Sequence, residues 1–160
     1  MLEQKIQEIR EMEKLASEEM GVINKRDLFL LGVGLYLGEG CKSNETISIV
    51  NSDPAIIKIS IQWFKEACGL TTKNFKPFLH LYPDNNIEKS FKYWKNITKI
   101  PKNQFGKTTI DSRTNKSKLR KGKLPYGTLH LHIKSLGNKE HGRKLYRKIN
   151  GWMSAVIKNI

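Results

Sequence analysis

The chain has 160 residues, and its 29 Lys and Arg against 15 Asp and Glu give a net charge of +14 at neutral pH. With 38% hydrophobic residues and three tryptophans, this length suits one domain with a buried core. No stretch reaches the roughly 18 apolar residues that span a bilayer, and the polar N-terminus lacks a signal-peptide core, so we expect a cytoplasmic protein without a membrane partner.

The first predicted element is a charged helix over residues 2–20, in which apolar residues recur every three or four positions. Gly21 ends it. We therefore divide the chain into an N-terminal helix, residues 1–21, and one domain, residues 22–160.

The second predicted helix, residues 26–39, is apolar and ends in one carboxylate, Glu39. Gly34 and Gly38 lie four residues apart, so they share one face of this helix. Each glycine weakens a helix by about 1 kcal/mol relative to alanine. The pattern therefore indicates that a second backbone packs closely against this face.

The next elements alternate between strands and helices. A turn at residues 43–45 precedes a strand over residues 46–50, and Asp53 and Pro54 begin a helix that ends at Gly69. The following segments are predicted as a strand over residues 72–82, broken or bulged at Pro77, a helix capped by Asp84 that buries Ile87, Phe91 and Trp94, strands over residues 104–111 and 124–134, and a last helix from about residue 139. The order helix, strands, helix, strand, helix, strands, helix predicts an α+β domain with a mixed, mainly antiparallel sheet.

Alternation in the predicted strands separates two sheet faces. Leu129 and Leu131 point to one side of the last strand, and His130 and His132 point to the other. One face can cover helices, while the other presents imidazole, amine and hydroxyl groups. That second face is either an ordinary solvated surface or a surface for base edges and phosphates.

The positive charge is concentrated in the C-terminal half. Residues 101–160 hold fifteen Lys and Arg, with Asp111 and Glu140 as the acids, and the connection 112–123 holds six bases and no acid. This asymmetry favours nucleic acid over a membrane surface as the polyanionic partner. Binding of that kind weakens steeply with salt.

Two other chemistries are less favoured by the spacing. The glycines of residues 32–38 resemble a dinucleotide-binding loop, but that loop follows a strand and opens a helix, whereas these glycines lie inside an apolar run. His130 and His132 share a strand face, but no cysteine or carboxylate stands near them in sequence to complete a metal site.

The segment Gly34-Leu-Tyr-Leu-Gly-Glu-Gly40, followed by a strand and by Asn51-Ser-Asp-Pro54, resembles the LAGLIDADG homing endonuclease family. The order of elements is similar over roughly residues 26–135, and similar bacterial proteins can carry a helix-turn-helix ahead of this domain. The resemblance implies an αββαββα core with extra N- and C-terminal helices, whose sheet forms a DNA-binding saddle. It also implies that chains with one motif form homodimers through their motif helices.

The resemblance further implies a role for individual residues. Glu39 is expected as the catalytic carboxylate and Mg²⁺ ligand, with the Gly38 carbonyl as a neighbouring ligand. The helix pair is expected to meet at Leu31, Gly34, Leu35 and Gly38. The residues expected to bind DNA are cations and histidines: Lys42, Lys76, His80, Lys107, Arg113, Lys116, Lys118, Arg120, Lys121, Lys123, His130, His132 and Lys134. Lys107 and Lys134 are candidates for the basic residue that assists catalysis in this family.

Physical reasoning from Glu39 also favours a dimer. Mg²⁺ prefers octahedral oxygen ligands, and one carboxylate holds it poorly, so a twin chain and DNA phosphates must supply further ligands. The expected function is Mg²⁺-dependent phosphodiester hydrolysis of double-stranded DNA by a homodimer, as in a homing endonuclease. The alternatives are a catalytically inactive DNA-binding regulator on the same fold and an RNA-binding protein of intron splicing.

Overall fold

The computed structural model describes residues 1–113 and 122–160. Helices and strands of this part are, in chain order, α1 (Leu2–Met20), α2 (Lys25–Glu39), β1 (Ser48–Asn51), α3 (Pro54–Cys68), β2 (Phe75–Leu81), α4 (Ile87–Thr98), β3 (Thr109–Ile110), β4 (Thr128–Ile133) and α5 (Arg143–Lys158). The predicted α+β class is confirmed. Within the described ranges, no helix is both long and apolar enough to cross a membrane.

The sheet has the order β1-β4-β2-β3. Strand β4 pairs antiparallel with β1 and with β2, and β2 pairs parallel with β3, so the sheet is mixed and mainly antiparallel, as predicted. Leu79, Leu129 and Leu131 point from it into the core, where they pack with aromatic residues of the helices such as Trp63 and Trp94. The helices therefore cover one face of the sheet.

The element order differs from the predicted αββαββα core. The first strand expected after α2 is reduced to a bridge between Gly40 and Ile49, so β1 is the regular strand there. Helix α4 also separates β2 from β3. The extra N- and C-terminal helices are present as α1 and α5, and every residue of α1 is exposed.

Strand β2 runs through Pro77 without a break, so the predicted interruption is wrong. Pro77 stays in register with Leu131 of β4, and its carbonyl accepts the N–H of Gly106 at 2.8 Å on the other side. The nitrogen and carbonyl of one residue point to the same side of a strand. The missing N–H of Pro77 therefore faces the Gly106 segment, and the β2–β4 ladder loses nothing.

The predicted strand over residues 104–111 is mostly absent. Lys102–Gln104 form a 3₁₀ turn, and β3 is limited to two residues. The Gln104 side-chain amide donates to the carbonyls of Thr72 and Phe75, at 2.8 and 2.9 Å. These bonds satisfy the edge of β2 with a side chain instead of a strand backbone, so regular pairing begins only at Thr109.

Asn86, and not Asp84, caps α4. The Asn86 side chain accepts the N–H of Lys89 at 2.9 Å, whereas Asp84 accepts the N–H of Gly122 at 2.9 Å. Starting the helix at Ile87 leaves that side chain exposed, so its predicted burial is wrong. The face turned inward consists of Ser90, Trp94 and Thr98, with Phe91 half-buried beside it.

Candidate functional site

Helix α2 has an inner face that packs against α3. Gly32, Val33 and Tyr36 are buried on this face. A Cβ built on Gly32 would lie 2.0 Å from the Trp63 ring, so only glycine allows this contact. The close packing within one protomer thus uses Gly32, a role that the sequence analysis missed because it depends on a residue thirty positions away.

The outer face of α2 is apolar, and none of the residues in 1–113 and 122–160 covers it. Leu31 is 46% exposed, and a Cβ on Gly34 or Gly38 would meet no atom of these residues within 4 Å. Leu35, predicted for the same face, is half-buried against the core and lies at its margin. Leu31, Gly34 and Gly38 form what we call the glycine stripe. At the two glycines of this stripe the helix backbone is exposed, without a side chain to cover it.

Glu39 is exposed at the last residue of α2, where the glycine stripe ends. The next residue, Gly40, lies under Tyr36, and a Cβ on Gly40 would come 2.4 Å from the Tyr36 ring. The Tyr36 hydroxyl donates to the Cys41 carbonyl at 2.8 Å, and burial raises the pKa of this phenol. A buried aromatic ring therefore fixes the chain direction immediately after the carboxylate.

The same segment joins α2 to the edge of the sheet. Gly40 bridges to Ile49, and the Cys41 N–H donates to the Ser48 carbonyl at 2.9 Å. Lys42 is exposed, and its ammonium group donates to the Gly40 carbonyl at 3.3 Å. One predicted DNA-binding cation therefore lies within three residues of Glu39, beside the first strand of the sheet.

The sheet face away from the helices carries the predicted polar residues. Across the β2–β4 ladder, Lys76 lies opposite His132, and Phe78 lies opposite His130. The rings of His80 and His130 are stacked with their centroids 5.5 Å apart. The predicted division of β4 into two faces is confirmed, because Leu129 and Leu131 are buried while His130 and His132 are partly exposed. We call this surface the open face.

Two of the open-face histidines are biased towards the neutral form. Desolvation, followed by the electrostatic effect of the neighbouring imidazoles of His80 and His132, lowers the pKa of His130. Desolvation, followed by the charge of Lys134, lowers the pKa of His132. A neutral imidazole offers one donor and one acceptor, which matches base edges in a groove better than a bare positive charge would.

Arg113 forms an ion pair with Asp111, a carboxylate for which the sequence pattern predicts no role in the site. Its guanidinium donates two hydrogen bonds to buried Asp111, at 2.7 and 2.5 Å, and His80 Nε2 lies 3.6 Å from the same carboxylate. Arg113 holds the pKa of Asp111 far below its usual range. The local signal was the acid two residues before a base in a segment otherwise almost free of acids.

Of the remaining predicted cations, Lys107 and Lys123 lie in loops, exposed beside Gly106 and ahead of β4. Lys134 follows the end of β4 and lines a cleft together with Lys76. Lys116, Lys118, Arg120 and Lys121 lie outside the described residues. The structure therefore brings Lys76, the histidines and Lys134 to one surface.

In the described part of the chain, Glu39 does not belong to a cluster of metal-binding side chains. Among residues 1–113 and 122–160, no group of three or more His, Cys, Asp or Glu is placed to hold a metal ion. The oxygens at the end of α2 are the Glu39 carboxylate and the Gly38 carbonyl, which is one of the last four carbonyls of a helix and has no partner within it. Both are hard oxygen ligands of the type that Mg²⁺ prefers.

Neither a family model, nor a curated protein sequence, nor a solved structure matches this chain.

Proposed function

We propose that this protein is a homodimeric, Mg²⁺-dependent endonuclease of double-stranded DNA, of the LAGLIDADG homing type. The observation that carries the proposal is the exposed glycine stripe, which ends at Glu39 beside the edge of a polar sheet face. The glycine stripe, Glu39 and the polar sheet face are adjacent, and each has a role in the proposed function.

The glycine stripe suits the close approach of a second copy of α2. Glycines inside a helix cost about 1 kcal/mol each, and neither Gly34 nor Gly38 serves packing against the described part of the protomer. A symmetric pair of α2 helices would bury the stripe and bring two Glu39 residues together at the symmetry axis. The interface would be isologous, as in most homodimers.

Pairing also meets the needs of the metal. One chain offers the Glu39 carboxylate and the Gly38 carbonyl, which are too few oxygens for Mg²⁺ but of the correct type. The second chain and the DNA phosphates would supply the rest. When bound there, the ion would polarise a phosphoryl oxygen and favour an attacking hydroxide. The role of Glu39 is to hold it at the scissile bond.

The open face would read the duplex. Lys76 and Lys134 would contact phosphates, and the neutral imidazoles of His130 and His132 would hydrogen-bond to base edges. The proposed saddle of a dimer would join two such faces, so that its target would show matching two-fold symmetry.

A catalytically inactive DNA-binding regulator on the same fold is the second candidate. It is favoured by the absence of a complete ligand cluster among the described residues, since binding needs the open face and no metal.

One assay distinguishes the two functions. The wild-type protein, Glu39→Gln and a control, Glu18→Gln on exposed helix α1, are incubated with Mg²⁺ and a supercoiled plasmid library of candidate targets. Cleavage by the wild type and the control, lost in Glu39→Gln with binding retained, supports the endonuclease. Binding without cleavage in Mg²⁺ and Mn²⁺ supports the regulator, and absence of DNA binding refutes both.

A further inference from the structure

A second basic cluster lies outside the open face, at the start of helix α5 and in the 3₁₀ turn Lys139–His141 that precedes it. We call it the α5 cluster. Lys139, Arg143, Lys144 and Arg147 line a cleft of about 490 Å³. All four side chains belong to exposed residues. Two carboxylates contact this cluster, Glu45 and Glu140, so its local charge is +2, from four cations and two anions.

Ser135 connects this cluster to the open face. The same serine lines a neighbouring cleft of about 420 Å³, together with Lys73, Lys76 and Lys134. Lys76 in turn lies opposite His132 in the sheet. Cations therefore line two neighbouring clefts that run from the open face to α5 and share Ser135.

Glu45 occupies two of the arginines. Its carboxylate forms an ion pair with Arg143 Nε at 2.9 Å and accepts a hydrogen bond from Arg147 Nη2 at 3.0 Å. The Tyr146 hydroxyl donates to the Lys42 carbonyl at 2.8 Å. The loop between α2 and β1, which begins directly after Glu39, is thus tied to α5 by three polar contacts.

We propose that the α5 cluster is a second contact for the DNA backbone. In the free protein Glu45 pairs with Arg143 and Arg147, and on binding phosphates replace it. A guanidinium pairs with phosphate in the same forked geometry as with carboxylate, so a phosphate can replace Glu45 at Arg143 and Arg147. The exchange frees the loop beside Glu39 when the substrate arrives. This inference rests on the proposed DNA binding and adds a surface and a charge exchange to it.

The test compares three variants with wild type by fluorescence anisotropy on a labelled duplex, without divalent ions. Glu45→Gln removes the competing carboxylate, and Arg143→Gln/Arg147→Gln removes both arginines. Glu66→Gln, which removes an exposed acid of α3 away from the cluster, is the control for net charge. Exposed ion pairs contribute little to stability, so all variants should melt like the wild type.

We expect Glu45→Gln to bind about threefold tighter or more, and Glu66→Gln to bind like the wild type. The double arginine variant should flatten the slope of log affinity against log salt by about two, at roughly 0.9 per lost phosphate contact. A fourth variant adds Glu45→Gln to the two arginine substitutions. It should bind the duplex with the same affinity as the double arginine variant, because Glu45 acts through the arginines.

The outcomes separate this inference from the proposed function. If the wild type binds the duplex and the arginine substitutions leave the salt slope unchanged, the α5 contact is wrong while DNA binding stands. An equal gain in Glu45→Gln and Glu66→Gln also overturns it, since net charge alone then explains both. If the wild type binds no duplex, the proposed function fails as well.

Discussion

The indole ring of Trp63 occupies the space that a side chain on Gly32 would need, with 2.0 Å between the ring and a built Cβ. We expect Gly32→Ala to destabilise the protein, because overpacking a rigid, fully buried ring costs about 1–3 kcal/mol or more. The higher helix propensity of alanine offsets only about 1 kcal/mol of this destabilisation. Urea denaturation of the variant measures the difference.

Gly34→Ala is the matched control, two residues along the same helix. Its Cβ would meet no atom within 4 Å in the part of the protomer that the structure describes. At protein concentrations low enough to keep the chain monomeric, it should therefore stabilise the fold by up to about 1 kcal/mol through helix propensity. A loss of stability equal to that of Gly32→Ala would contradict the division of α2 into two faces.

The second prediction concerns self-association through the glycine stripe. Gly34→Leu leaves the protomer core untouched but holds two α2 helices apart, so we expect the dimer to dissociate at least about tenfold more readily, as an overpacked contact does. Sedimentation equilibrium at micromolar concentration measures this. Gly151→Leu, at an exposed glycine of α5 whose Cβ would likewise meet no described residue within 4 Å, should keep the wild-type association. A wild type that stays monomeric contradicts the paired Glu39 site.

Local signals in the sequence were sufficient for most of the elements. Asp53 with Pro54 predicted the start of α3, and Gly69, in the left-handed conformation at φ 67°, ends it as predicted. These features act over one turn, so they can be recognised without the fold. The alternation of apolar and polar residues likewise predicted which residues of β4 are buried. Successive side chains of a strand point to opposite faces, so only one of the two possible settings buries the leucines.

The misses depend on contacts that are distant in sequence. Asp84 and Asn86 are both capable caps, and the choice follows from Asn85, whose side chain binds the backbone of Tyr82 and Leu124 and thereby delays the helix. The packing role of Gly32 depends on Trp63, and the contacts of Glu45 depend on α5, about a hundred residues later. Such pairings follow from topology, which no local pattern contains.

The third prediction is a loss of stability in mild acid through His130 and His132. Their pKa values are lowered mainly by burial, so between the folded value and the unfolded value near 6.5 the unfolded chain binds more protons. This contribution to stability is complete above about pH 6.5 and is lost as the pH falls. The double variant His130→Gln/His132→Gln should lose less stability between about pH 7 and 5 than the wild type does.

Urea denaturation across this pH range measures the effect, and parallel curves for the two proteins would exclude it.

The last prediction concerns Asp111, which accepts hydrogen bonds from Arg113 and lies near His80. Arg113 lowers the pKa of Asp111 below its usual value near 3.9, so the stability that it contributes is complete above about pH 4 and is lost as the pH falls below that. Asp111→Asn should therefore unfold at a lower urea concentration than the wild type at neutral pH. The gap between the two urea midpoints should narrow below about pH 4. Arg113→Gln removes the main cause of the shift and should show the same narrowing gap. A gap that stays constant on acidification would mean that Asp111 acts by its shape and hydrogen bonding, and not by its charge.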